Sequence, residues 1–273
     1  MTTAIIGTGG IGSAIASRLA SGGETLRLSS ADRESARKLV AEIGDAALVA
    51  VDNRDALQGA DAAILALRFT VLESVIDEMA DSLTDKVVVV PSNPVGLDAQ
   101  GNVVRLLSEG QSSGAVVAGW LPKSARLAMA FGTMSADLFE SSSNRSPEPA
   151  VLFYVTNDDR AGEEVERLIR TAGFEPVKAG GIEQSSRLEV GGDLHDLVVG
   201  SAEARSLVGV ARSPRPGGRL PAPAGRLGTR SGCRVTGGSG SVRWGGLEPV
   251  SCRRPFDDAH SVVASDPPVR SVR

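Results

Sequence analysis

Apolar positions along the first 200 residues alternate between two spacings. Ala4-Ile-Ile6 opens a short buried strand, and apolar residues from Ile11 to Leu19 recur at helical spacing. A second strand is expected at 25–28 and a helix at 32–43, with Asp32 as N-cap and Gly44 as the C-terminal stop. Strands follow at 47–51 and 62–67. An amphipathic helix follows at 70–83, turning Val71, Val75, Ile76 and Met79 inward. Val87-Val-Val-Val90 reads as a fifth strand, closed by Pro91-Ser-Asn-Pro94. Near-continuous apolar strands separated by helices imply a parallel sheet covered on both faces.

The pattern continues less regularly. A short helix is expected at 114–121, a strand at 127–131, a helical turn at 134–139 and a polar loop at 141–149. A strand at 151–155, a helix at 160–172 and a short strand at 175–177 are clearer. Residues 184–199 read as helix broken at Gly191-Gly192. The expected fold class is therefore α/β, a doubly wound Rossmann-like parallel sheet with appended strands.

Composition changes the picture at the C-terminus. Residues 211–273 hold eleven Arg and no Lys against four acidic residues, although the whole chain carries a net charge of −4. The same stretch contains ten Gly, eight Pro and eight Ser, with few apolar residues and no sustained period. So little apolar surface cannot offset ordering entropy. Residues 1–210 are expected to fold and 211–273 to form an Arg/Gly/Pro-rich disordered tail. Trp244 and Phe256 are too few aromatics for a nucleic-acid stacking platform. No apolar run reaches the ~20 residues that a membrane-spanning helix needs. The N-terminal Met-Thr-Thr-Ala-Ile-Ile lacks the basic region of a signal peptide. Cys233 and Cys252 make neither a disulfide framework nor a zinc spacing. A cytoplasmic protein without a structural metal is expected.

The chemistry concentrates in Gly7-Thr-Gly-Gly-Ile-Gly12, a G-x-G-x-x-G run placed between a strand and a helix. Here Gly7 would permit the tight turn, Gly9 the approach of a pyrophosphate, and Gly12 close helix–strand packing. The helix N-terminus offers unpaired N–H groups to the anion. The end of the second strand selects the cofactor. It reads Leu28-Ser-Ser-Ala-Asp-Arg33, with Ser30 where an NAD site places an acid. A small hydroxyl admits a 2′-phosphate, and Arg33 supplies a countercharge, so NADP is favoured. The rival makes Asp32 a ribose ligand, whereas the helical run behind it favours a cap.

With Ala63-Ile-Leu-Ala-Leu67 and 86–94 added, these residues resemble NADPH-dependent reductases of the deazaflavin coenzyme F420. Those reductases share their N-terminal domain with pyrroline-5-carboxylate reductase. The resemblance continues through Ala130-Phe-Gly-Thr133, 151–154 and 172–176 to Gly191-Gly-Asp-Leu-His195. It implies hydride transfer between NADP(H) and coenzyme F420 at the carboxyl edge of the sheet. It places Thr8, Gly9, Gly10, Ile11 and Gly12 around the pyrophosphate and Ser30 at the 2′-phosphate. Ala66, Leu67, Ser92 and Asn93 would border ribose and nicotinamide. The chain departs from the family at Ala31, where an Arg is usual, and at Gly132, where Asn is common.

Hydride transfer between cofactors needs juxtaposition more than acid/base side chains. His195 is nonetheless a candidate proton donor or polar contact, against the simpler reading of a helix-end histidine. Asp158 and Asp159 are expected to serve a helix N-terminus, and Glu163, Glu164, Glu166, Arg167 and Arg170 a solvated helix face. Partners are a small-molecule cofactor or substrate, with no nucleic acid and no membrane, and a homodimer is left open. Two other functions remain: an imine reductase of the pyrroline-5-carboxylate type, and a non-catalytic module sensing NADP.

Overall fold

The computed structural model describes residues 1–209, and the expected 211–273 tail lies outside them. The first half alternates as the pattern predicts: β1 (Thr2–Ile6), α1 (Gly10–Ser21), β2 (Thr25–Ser29), α2 (Arg33–Ile43), β3 (Ala47–Val49) and α3 (Asn53–Leu57). It continues with β4 (Ala62–Leu65), α4 (Phe69–Glu78), α5 (Ala80–Leu83) and β5 (Val87–Val90). The second half comprises β6 (Val95–Leu97), β7 (Val103–Arg105), α6 (Ser113–Trp120), β8 (Arg126–Met129) and α7 (Ala136–Ser142). Last come β9 (Val151–Val155), α8 (Asp159–Thr171), β10 (Glu175–Gly180), a 3-10 helix (Ile182–Arg187) and α9 (Ser201–Gly209).

Eight strands form one sheet in the order β10-β9-β8-β5-β4-β1-β2-β3, and β6 and β7 make a separate antiparallel hairpin. The chain winds outward from β1 through β2 to β3, then returns to the other side of β1 for β4, β5 and β8. This reversal between β1 and β4 leaves a crevice at their carboxyl ends, the usual ligand position in doubly wound sheets. Strand residues alternate between two cores, as the pleat requires. Ala4, Ile6, Val88, Val90, Val151 and Phe153 face the layer containing α4, α6 and α9. Ile5, Val87, Val89, Leu152 and Tyr154 face the layer containing α1, α2 and α8.

Several expectations are corrected. The sheet is mostly parallel, but β9 runs antiparallel to β8 and meets it at the single pair Met129–Val155. The helix expected at 70–83 breaks at Met79 into α4 and α5. Its buried row is Phe69, Leu72, Ile76, Met79 and Leu83, while Val71 is 37% exposed. Ile76 and Met79 face inward as expected and Val75 packs half-buried at the edge of the core, whereas Val71 falls outside the face that the larger Phe69, Leu72 and Leu83 occupy. β8 ends at Met129 because Phe131 adopts φ +65°, outside the strand region. The 184–199 segment is helical only as the short 3-10 turn at Ile182–Arg187, and the glycine pair beyond it lies in turns. The hairpin, α3, α5 and α9 carry no clear periodicity because each is only a few residues long or flanked by polar positions.

The expected caps are present. Asp32 accepts from the Glu34 N–H at 3.1 Å, and Asp158 accepts from the Ala161 N–H at 2.8 Å. The charged face of α8, however, is not wholly solvated. Arg167 reaches down to Glu24, which is 3% exposed, with contacts of 2.6 and 3.1 Å, and it also pairs with Glu164. These carboxylates hold the guanidinium pKa above its usual value, Glu164 contributing most. Thr3 Oγ1 donates to the same Glu24 at 2.7 Å, so β1 and α8 share one buried carboxylate from the residue preceding β2. Glu24→Ala should therefore lower the free energy of unfolding by about 2–3 kcal/mol, less than for a fully buried pair because Arg167 keeps Glu164 and partial solvation. Urea denaturation of both proteins checks it.

Candidate functional site

The loop joining β1 to α1 stands at the crevice, and its glycines divide by what surrounds them. Gly7 has φ +103°, and a Cβ there would lie 2.3 Å from the Ala66 carbonyl oxygen. Its N–H donates to Ser29 O at 2.8 Å, tying the loop to β2. A Cβ on Gly12 would lie 2.1 Å from the Gly7 carbonyl oxygen. Both positions are closed to any side chain. Gly9 is the opposite case: it is exposed, and an added Cβ would meet nothing within 4 Å. Gly9 is the N-cap of α1 and supplies no side-chain cap, and the first turn carries no acid. The first N–H groups of α1 therefore point into the crevice without intrahelical partners.

Thr8 sits between these glycines at 8% exposure, and its hydroxyl finds no partner among the described residues. An unpaired buried hydroxyl is costly unless something binds it. Gly10 lies against α7, with an added Cβ 3.8 Å from Ala136 Cβ, and Ile11 is half-buried. A free helix N-terminus, an open Gly9 and an unpartnered Thr8 hydroxyl fit the diphosphate of a dinucleotide.

At the end of β2, Ser29 turns inward and donates to Asn53 Oδ1 at 2.7 Å. Ser30 follows, half-buried at the strand's carboxyl end, and Arg33 opens α2 on the surface. Asp32 is committed to its cap: its carboxylate also accepts from Ser35 Oγ at 2.5 Å, the interaction that contributes most to holding its pKa below the usual value. The cap expected of Asp32 is thus present. Ala66 and Leu67 stand beside the glycine loop, and Ala66 closes over both Gly7 and Gly12.

Ser92 and Asn93 are at the carboxyl end of β5, but their polar atoms are engaged with protein. Ser92 Oγ donates to Leu67 O at 2.5 Å. Asn93 Nδ2 donates to Gly132 O, and Asn93 Oδ1 accepts from Val190 N–H, both at 2.8 Å. Asn93 therefore joins β5, the turn after β8 and the 186–199 segment, a role that strand position alone does not disclose. The same crowding explains Gly132, where a Cβ would lie 2.2 Å from the Pro91 carbonyl oxygen. His195 is mostly buried, with Nδ1 3.0 Å from Asp196 Oδ2. The neighbouring Asp196 N–H donates to Thr133 O at 2.8 Å, which ties His195 to the turn after β8.

A cavity of about 20 Å³, room for one water, lies between the ends of β5 and β8. Asn93, Ser113, Gly132, Ser185 and Glu189 line it together with Met129. Sequence reasoning misses Ser113, Ser185 and Glu189: 184–199 reads as helix broken at Gly191-Gly192, and Ser113 stands just before the helix expected at 114–121. The acidic residue following Ser185-Ser-Arg-Leu is the one available signal.

The fold and the glycine loop at its topological switch point define a Rossmann-type α/β domain. Residues 2–94 match the family described as NADP oxidoreductase, coenzyme F420-dependent. A hypothetical protein from Sinorhizobium meliloti superposes with TM-score 0.65 at 27% identity, over 74% of this chain and 96% of its own. A protein from Arthrobacter sp. FB24 named as a putative F420-dependent NADP reductase gives TM-score 0.57 at 20% identity, over 66% and 85% of the two chains. No curated protein matches the sequence.

The two kinds of glycine separate folding from binding. Gly12→Val should lower the melting temperature strongly, because its side chain would enter the Gly7 carbonyl. Gly9→Val should fold with nearly the normal melting temperature yet lose dinucleotide binding. Circular dichroism melting combined with NADPH fluorescence titration distinguishes the two outcomes.

Proposed function

We propose that the protein is an NADP(H)-dependent oxidoreductase that transfers a hydride between NADP(H) and a deazaflavin of the coenzyme F420 type. The observation that carries the reading is the uncapped N-terminus of α1 at the β1/β4 crevice, with an open Gly9 and an unpartnered Thr8 hydroxyl. The family match over 2–94 spans this loop and the ends of β2, β4 and β5, and supports both cofactors.

In this reading the N–H groups of Gly10, Ile11 and Gly12 hold the pyrophosphate, assisted by Thr8. Ser30 leaves room for the 2′-phosphate without a repelling carboxylate, and Arg33 offers it a positive charge. Ala66 and Leu67 border the ribose and nicotinamide, while Ser92 and Asn93 shape that edge by fixing the backbone around it. The nicotinamide supplies the hydride, and the protein aligns the two rings and excludes water. Reduction of the deazaflavin by NADPH also takes up one proton. His195, held near the carboxyl edge, is the side chain assigned to that proton.

NADPH should bind at least about tenfold more tightly than NADH, and Ser30→Asp should reverse the order by setting a carboxylate beside the phosphate. Equal affinity for the two cofactors in the unmutated protein would remove the role of Ser30. A spectrophotometric assay with NADPH and oxidised deazaflavin tests the reaction itself. Oxidation of NADPH with a cyclic imine but not with deazaflavin would move the protein to imine reduction. Binding without turnover of either would make it a sensor.

A further inference from the structure

Glu189 is 5% exposed and is not among the residues assigned above to the dinucleotide. Its Oε1 accepts from the Ser113 N–H in the first turn of α6 at 2.7 Å, and its Oε2 accepts from Arg105 Nη2 at 2.9 Å. Arg105, the last residue of β7, also donates to the carbonyls of Leu107, Ser108 and Gln111 at 2.7, 2.9 and 2.6 Å. One guanidinium thus gathers the chain between the hairpin and α6. Ser185 Oγ accepts from the next helix N–H, that of Gly114, at 2.8 Å. One residue beyond Glu189, the Val190 N–H reaches Asn93 Oδ1. Residues 189 and 190 are therefore gripped from two sides, by the side chain toward α6 and the hairpin, and by the backbone toward β5.

A buried, fully paired carboxylate adds little net stability compared with an apolar residue of similar volume, whereas it fixes geometry tightly. What it fixes here is the 186–196 segment at the carboxyl edge of β5 and β8: Glu189 meets Asn93, Ser113, Ser185 and Gly132 around the one-water cavity, which is too small for a ring and so belongs to the packing of the segment, with the reactant outside it. In the sheet order β8-β5-β4-β1, this segment stands at β5 and β8 and the glycine loop follows β1. The side-chain bonds of Glu189 and Arg105 run to Ser113, to each other and to the 107–111 carbonyls, away from residues 7–12 and 30–33.

The geometry points to Glu189 as a positioning residue that, with Arg105, locks the 186–196 segment as the wall of the second reactant's subsite. This rests on the reading that the second reactant binds at the carboxyl edge of β5 and β8. The pair acts through backbone placement and need not touch the reactant. Loss of either partner should loosen the same wall, so the two residues should behave as one unit.

The test uses the full chain with Glu189→Gln, Arg105→Gln and the double variant. Each single variant should raise KM for oxidised deazaflavin by about tenfold or more while NADPH affinity stays within about twofold, and the double variant should be no worse than the worse single. An unchanged KM overturns the inference. So does a parallel loss of NADPH affinity with a large drop in melting temperature, which would make the pair a general fold element. Amide hydrogen exchange gives a readout independent of turnover. Exchange at Ser113 and Val190 should quicken in Glu189→Gln while residues 7–12 keep their protection, and unchanged exchange at Ser113 and Val190 overturns the latch. Absence of deazaflavin turnover in the unmutated protein would count against the proposed reaction alone, and the exchange result would then decide for or against the latch.

Discussion

The close backbone approach of Gly12 to the Gly7 carbonyl, and of Gly7 to the Ala66 carbonyl, governs how the rest of the fold can be arranged. Without side chains at these positions α1 can start directly over the junction of β1 and β4. That start leaves the helix N-terminus uncapped and aimed into the crevice, where its partial positive charge favours an anion. Widening the junction by one Cβ would move α1 away from β1, taking with it the core contacts of Ala14, Ile15 and Leu19. Fold and binding chemistry thus depend on the same absent methyl groups. Gly9 escapes that double duty, since the space around it is open.

The carboxyl edge of the sheet is organised by a different principle. Asn93 uses its amide oxygen and one amide N–H on two backbone segments far apart in sequence, while Glu189 and Arg105 tie down a third and a fourth. Most of these groups are half-buried or buried, where an unmade hydrogen bond is expensive. The edge therefore behaves as a connected polar network and not as a set of independent loops. Phe131, at φ +65° and fully buried against Phe139, fits such a network: a strained residue persists where its surroundings over-determine it.

Residues with a strong local signal are legible from the amino-acid order alone. The glycine loop announces itself by spacing and by its place between strand and helix, and Asp32 and Asp158 announce themselves as caps by the helical runs behind them. The run of valines at 87–90 fits only a strand buried on both sides. Other roles cannot be read in this way. Asn93 has the position of a residue that meets a ligand, because its place at a strand end does not reveal that both ends of its amide are already engaged. Arg167 has the pattern of a solvated residue, because nothing near it in sequence indicates that Glu24, 143 residues away, lies beneath it.

Hydrophobic period, glycine placement and capping chemistry are local properties, and the sequence by itself determined what rests on them: an α/β chain, a doubly wound core and a loop suited to a dinucleotide. Tertiary structure decided the direction of β9, the burial of Glu24 and Glu189, and the meeting of Asn93 with Gly132 and Val190. Each of these depends on partners distant along the chain. Their energies come from excluding water around a pair, and a pair exists only once the strands have been laid side by side.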